Sequence, residues 1–145
     1  MARLLPLVAL LFAPSCMIAV TDVEVMRADG GEDHYKIKRQ GDTLRYVEVD
    51  FGRGERIQSA RLIVFADLNE NRKVDEGEVL YDLGGEDFDE PWQEVRWRNL
   101  DLDEGEHDGP FVVRLELVGT KRGAFTKTLN VLPESLIEDS GGIGN

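Results

Sequence analysis

Apolar residues in this 145-residue chain recur mostly at every second position, and a backbone that buries such a stripe has to be extended. The clearest stretch is FVVRLELV, where Phe111, Val113, Leu115 and Leu117 form one face and Val112, Arg114, Glu116 and Val118 the other. SARLIVFA alternates likewise, with Ala60, Leu62, Val64 and Ala66 opposite Arg61, Ile63 and Phe65, and its β-branched and aromatic content suits a strand. Weaker strands are expected at VTDVEVMR, HYKIKRQ, TLRYVEVDF, EVLYDL, WQEVRWRNL and AFTKTLNVL. Between them ADGGED, QGD, FGRGER, GGEDFDEP, DEGEHDG and GTKRG carry the residues that turns require. No segment keeps a long helical period. About eight short strands separated by polar turns predict an all-β fold, and their unequal lengths and hairpin-like links favour an antiparallel β-sandwich over a barrel.

The closing pair, Phe111 to Val118 and Ala124 to Leu132, resembles the last hairpin of immunoglobulin-like domains. The Cys, Trp, Cys hallmark of antibody domains is missing, because Cys16 is the single cysteine. The resemblance therefore extends to the architecture and not to antibodies.

At the N-terminus Arg3 is followed by the apolar run Leu4 to Ala13, with no acid before Asp22, which is the layout of a secretory signal. The run is too short for the roughly 20 residues that span a bilayer. It ends in LFAPSC, and Cys16 directly after small Ser15 resembles the bacterial lipoprotein box, in which the cysteine is lipidated after cleavage and becomes the new N-terminus. Ala13 and Pro14 depart from the usual residues of that box. The alternative is an ordinary signal-peptidase site using Ala13 and Ser15; lipidation of Cys16 is preferred because a lone cysteine in an exported chain has no disulfide partner.

The expected organisation is a signal peptide over 1–15, a linker over 16–20, one sandwich domain over 21–133 and an acidic, Gly-rich flexible tail over 134–145. Without Arg3 the mature chain has 16 Lys and Arg against 29 Asp and Glu, a net charge of −13. That argues against nucleic acid or an anionic membrane surface as partner, leaving the N-terminal lipid as the only expected membrane contact. Divalent cations and basic partners suit it better. The expected location is the outer membrane or cell surface as a lipoprotein, or alternatively the periplasm or the secreted fraction.

One stretch carries a specific chemistry. In DLNENRKVDEGE, Asp67, Asn69, Asn71, Asp75 and Glu78 stand at the first, third, fifth, ninth and twelfth places. Calcium takes six to eight oxygens, and a chain curling around it must offer side-chain oxygens at alternating places, a backbone carbonyl, and a closing bidentate carboxylate. Lys73 at the seventh place would supply the carbonyl, Asp75 would act directly or through water, and Val74 at the eighth could pack beneath the loop. The sixth place turns sharply and favours glycine, whereas this chain has Arg72. Three carboxylates and one strained place imply a modest dissociation constant, about 10⁻⁴ to 10⁻³ M.

The flanks alternate as strands, so helices of an EF-hand are not expected. The run resembles the EF-hand-like calcium loops set between strands in bacterial immunoglobulin-like and adhesin B-type β-sandwich repeats, with Asp67, Asn69, Asn71, Asp75, Gly77 and Glu78 matching and Arg72 departing. The resemblance covers about twenty residues. It implies a calcium site set in a sandwich and no biological role; for an exported, calcium-stiffened module of this kind the expected function is binding or assembly at a cell envelope, with an envelope or surface protein as partner.

Other features weigh less. Asp101, Asp103, Glu104, Glu106 and Asp108 precede the strand at Phe111 and could form a second, weaker cation site or add ligands to the first, but no twelve-residue register fits them and an exposed acidic turn is preferred. His34 and His107 lie in turn-like stretches, and neither G-x-S-x-G nor H-E-x-x-H occurs. With about 130 residues there is little room for a cleft between paired carboxylates, so an enzyme is not expected and a small hydrolase ranks last. Trp92 and Trp97 raise carbohydrate binding as the alternative function. Their spacing would place them on opposite faces of one strand, with at least one in the core.

Overall fold

The computed structural model describes residues 18–102 and 110–133. The expected signal, Cys16, the residues from Asp103 to Asp108 and the tail from 134 lie outside these. Eight strands run in the order β1 Ile18–Met26, β2 Glu32–Gln40, β3 Thr43–Asp50, β4 Ile57–Ala66, β5 Val79–Trp92, β6 Glu94–Asp101, β7 Phe111–Gly119 and β8 Gly123–Asn130. They form two antiparallel four-stranded sheets, ordered β1-β2-β3-β6 and β5-β4-β7-β8. The fold is a β-sandwich. β1 starts at Ile18, so the last residues of the expected linker already belong to a strand.

Alternation explains how each strand is placed. In β2, Tyr35 and Ile37 are buried while Lys36 and Lys38 stand on the outer face. In β4 and β7, Ala60, Leu62, Val64, Val113, Leu115 and Leu117 point into the space between the sheets, where Val47, Val49 and Ile37 meet them. Burying one stripe from each sheet supplies the main hydrophobic driving force, at about 25 cal/mol per Å² of apolar surface. The chain crosses between sheets at β3 to β4, β5 to β6 and β6 to β7, so β3 pairs with β6 and β4 with β7. Each sheet is thus closed only when distant segments come together.

Two expectations need correcting. GGEDFDEP is not a turn: it forms the second half of the 14-residue β5. WQEVRWRNL is not one strand either, since Trp92 ends β5 in one sheet and Glu94 begins β6 in the other. Gly84 and Gly85 adopt φ of 89° and 99°, and shifts in the β4–β5 register accompany them. Glycine here makes irregular strand rather than reversal.

Candidate metal site

Both ends of the loop after β4 are tied down by the sheet. Ala66 N–H donates to Glu78 O at 2.9 Å, and Asp67 N–H donates to Pro110 O at 2.8 Å. Asp67 and Glu78 are only 2% and 7% exposed, while the residues from Leu68 to Lys73 are exposed. Beneath the loop, Val74 packs against Ile63, Phe65 and Val112, the residues of β4 and β7 that alternation placed away from the main core. The eighth-place aliphatic anchors the loop to the outer side of the sheet.

The loop curls around the Asp67 carboxylate. Its Oδ1 accepts from Asn71 N–H at 3.1 Å and its Oδ2 from Arg72 N–H at 2.8 Å. To aim these amides inward the chain enters the left-handed region at Arg72, φ 59°, and at Glu70, φ 54°. The turn at the sixth place is the one that the spacing implies. That at Glu70 has no counterpart in the sequence reading.

Asp75 Oδ2 accepts from the side-chain amides of Asn71 at 3.0 Å and Asn69 at 3.2 Å. These bonds, Asn71's foremost, hold the Asp75 carboxyl below its ordinary range; desolvation opposes them, and a contact with Glu78 and the charge of Lys73 add to them. Lys73 N–H donates to Asn71 Oδ1 at 2.9 Å. Glu78 Oε2 accepts from Leu68 N–H at 3.0 Å, whereas Glu78 Oε1 is buried with no hydrogen-bond partner among the described residues.

Asp67, Asn69, Asn71, Asp75 and Glu78 therefore belong to one linked cluster, and its donor set of carboxylates and carboxamides suits a hard cation. Two features work against a fully formed sphere. The Asn69 and Asn71 amides turn nitrogen, not oxygen, toward Asp75. The carboxylates of Asp67, Asp75 and Glu78 are also less tightly gathered than Asp22, Glu24 and His34, whose ligand atoms lie within 4.8 Å of one another. Binding calcium requires the amides to rotate and the loop to tighten.

That second group lies on the exposed face of β1 and β2. Glu24 pairs directly with His34 across the strands, and His34 Nδ1 is 3.7 Å from Glu24 Oε1 while Nε2 is 3.5 Å from Glu32 Oε2. These are contacts between partly exposed polar side chains on a sheet face. Residues ten apart meet there only through the hairpin register, which no local motif announces. Of the two tryptophans, Trp92 is 57% exposed and Trp97 packs partly buried against the core. Asp101 lies in β6, where its N–H donates to the Tyr81 hydroxyl at 3.0 Å.

Compared with protein-family models, with curated proteins and with solved structures, the chain matches none.

Proposed function

We propose that the chain is an exported calcium-binding β-sandwich module that acts in binding or assembly at a cell envelope, anchored through a lipid on Cys16. Calcium would be held by the side chains of Asp67, Asn69, Asn71, Asp75 and Glu78 and the carbonyl of Lys73. The observation that carries the reading is the buried Glu78 Oε1 without a partner, on a loop where Asn71 bonds both the Asp67 and the Asp75 carboxylates. A buried carboxylate oxygen left unmatched costs on the order of 1 to 3 kcal/mol, and a cation is the partner that satisfies it together with Asp67 and Asp75.

The role of the ion is structural. It neutralises three carboxylates, fixes the loop between β4 and β5, and stabilises the fold by linkage, because the unfolded chain has no assembled site. At a calcium concentration about ten times the dissociation constant, that stabilisation is about 1.4 kcal/mol. Calorimetric titration tests the reading: a saturable heat with a dissociation constant of about 10⁻⁴ to 10⁻³ M is expected. Absence of heat with calcium in the millimolar range would remove the ion from the account.

A further inference from the structure

The far end of β5 is irregular in a way that creates a surface. Ile57 pairs with Trp92 and Ser59 with Asp87, so two steps along β4 match five along β5 and the segment from Phe88 to Pro91 bulges from the sheet edge. Gln58 Nε2 holds it by donating to Phe88 O at 3.3 Å. Gln93 alone then carries the chain into the other sheet, its carbonyl accepting from Phe51 N–H at 3.0 Å. At this corner Trp92, Phe88, Glu94 and Val95 line a shallow hollow of about 240 Å³. Phe88 and Val95 also pack on the core, which fixes two sides of the hollow, while Trp92 remains 57% exposed.

The surroundings of the hollow are mainly acidic, although Arg96, two residues along β6, is close enough to Glu94 to feel its charge. Between Glu86 and Glu94 stand Glu86, Asp87, Asp89, Glu90 and Glu94, all exposed, with no Lys or Arg. Across the adjoining sheet Glu94 pairs with Asp50, Asp50 with His34, and His34 with Glu24. The neighbouring row on the same face alternates in sign instead, Asp22, Lys36, Glu48, Arg96. Glu94 and Asp50 face each other directly, a like-charge pair that an added cation would favour, and they lie beside the exposed indole.

We propose that this corner docks a basic segment of a partner protein, with an Arg side chain stacked on Trp92 and its charge met by Glu94 and the acids of the β5 bulge. This gives a partner chemistry to the binding module proposed above and rests on that reading, but it requires no calcium in the loop at 67–78. A guanidinium both stacks on indole and forms charge-assisted bonds to carboxylates, so the two features of the site serve one ligand group. A neutral sugar would use the ring and leave the acidic surround without a role.

The test is the anisotropy of a fluorescein-labelled Arg-Gly repeat peptide titrated with the protein, once in calcium and once in chelator. A Ser-Gly peptide of equal length serves as control, and an unlabelled linear glucan oligosaccharide as competitor. Saturable binding of the Arg peptide alone is expected, about tenfold weaker for Trp92→Ala, largely retained for Trp92→Phe, and weakened in about 0.5 M NaCl. Glu90→Gln combined with Glu94→Gln should also weaken it. Equal binding of the Ser-Gly peptide, displacement by the glucan, or unchanged affinity in Trp92→Ala would overturn the proposal. Loss of the calcium heat with peptide binding intact would fault only the calcium reading.

Discussion

Arg72 holds a φ of 59°, where its Cβ crowds the following carbonyl at a cost of about 1 to 2 kcal/mol. Its guanidinium offsets part of that by donating to Asn130 Oδ1 on β8, an exposed contact. Arg72→Gly removes the strain at the sixth place of the loop, and calcium affinity should rise several-fold in a calorimetric titration. Unchanged affinity would mean that backbone strain at Arg72 does not limit binding. Glu78 behaves in the opposite sense. Glu78→Gln keeps an oxygen for Leu68 N–H and removes a buried charge whose other oxygen has no partner, so in chelator the variant should melt no lower than the parent chain.

Among the elements, β5 shows what glycine does when it sits in a strand. An added Cβ at Gly84, φ 89°, would lie 2.4 Å from Ala60 O, a backbone atom that cannot step aside. Gly84→Ala should cost about 2 to 3 kcal/mol, read as a lowered urea midpoint. Gly41, φ 58° in the β2–β3 turn, has nothing within 4 Å of its missing Cβ, so Gly41→Ala should cost only about 1 kcal/mol. Strands with intact alternation are readable directly: Phe111 to Val118 became β7, and Ser59 to Ala66 lies within β4. The end of β5 was not, because Gly84, Gly85 and the four acids that follow have the composition of a turn while their pairing with β4 is set by distant contacts. The loop's oxygen-bearing places could be counted along the chain, and Val74's packing follows from its place. The nitrogen-first orientation of Asn69 and Asn71, and the meeting of Glu24 with His34, depend on geometry that spacing does not carry.

Over the whole molecule the two sheets are joined at one end by buried charge as well as by the apolar core. Arg122, from the β7–β8 hairpin, donates Nη1 to Asp33 Oδ2 on β2 at 2.6 Å and Nε to Glu55 Oε1 at 2.5 Å. Arg27 completes the set by donating to Asp33 Oδ1 at 2.9 Å. The Arg122 guanidinium also lies 4.6 Å and 4.5 Å from the centroids of the Phe51 and Phe125 rings. Arg122→Met keeps much of that packing but leaves Asp33 and Glu55 short of a counter-charge, and should cost about 3 kcal/mol in a denaturant titration. Burial alone would raise the Glu55 carboxyl, yet the N–H groups of Arg122 and Lys121 and the Arg122 guanidinium outweigh it and hold Glu55 below its ordinary range. With the folded value depressed, this stability is present above the ordinary carboxylate range and is lost as pH falls through the lowered folded value. The acid limb of the Tm profile should therefore be shallower in Arg122→Met than in the parent chain.

Thermal unfolding in chelator and in millimolar calcium, for the parent chain and for Glu78→Gln, decides whether calcium stabilises this sandwich through the loop from Asp67 to Glu78. A calcium-dependent rise in Tm of a few degrees in the parent, absent in Glu78→Gln, is predicted. Identical melting of the parent in both conditions, or an equal rise in Glu78→Gln, would contradict it.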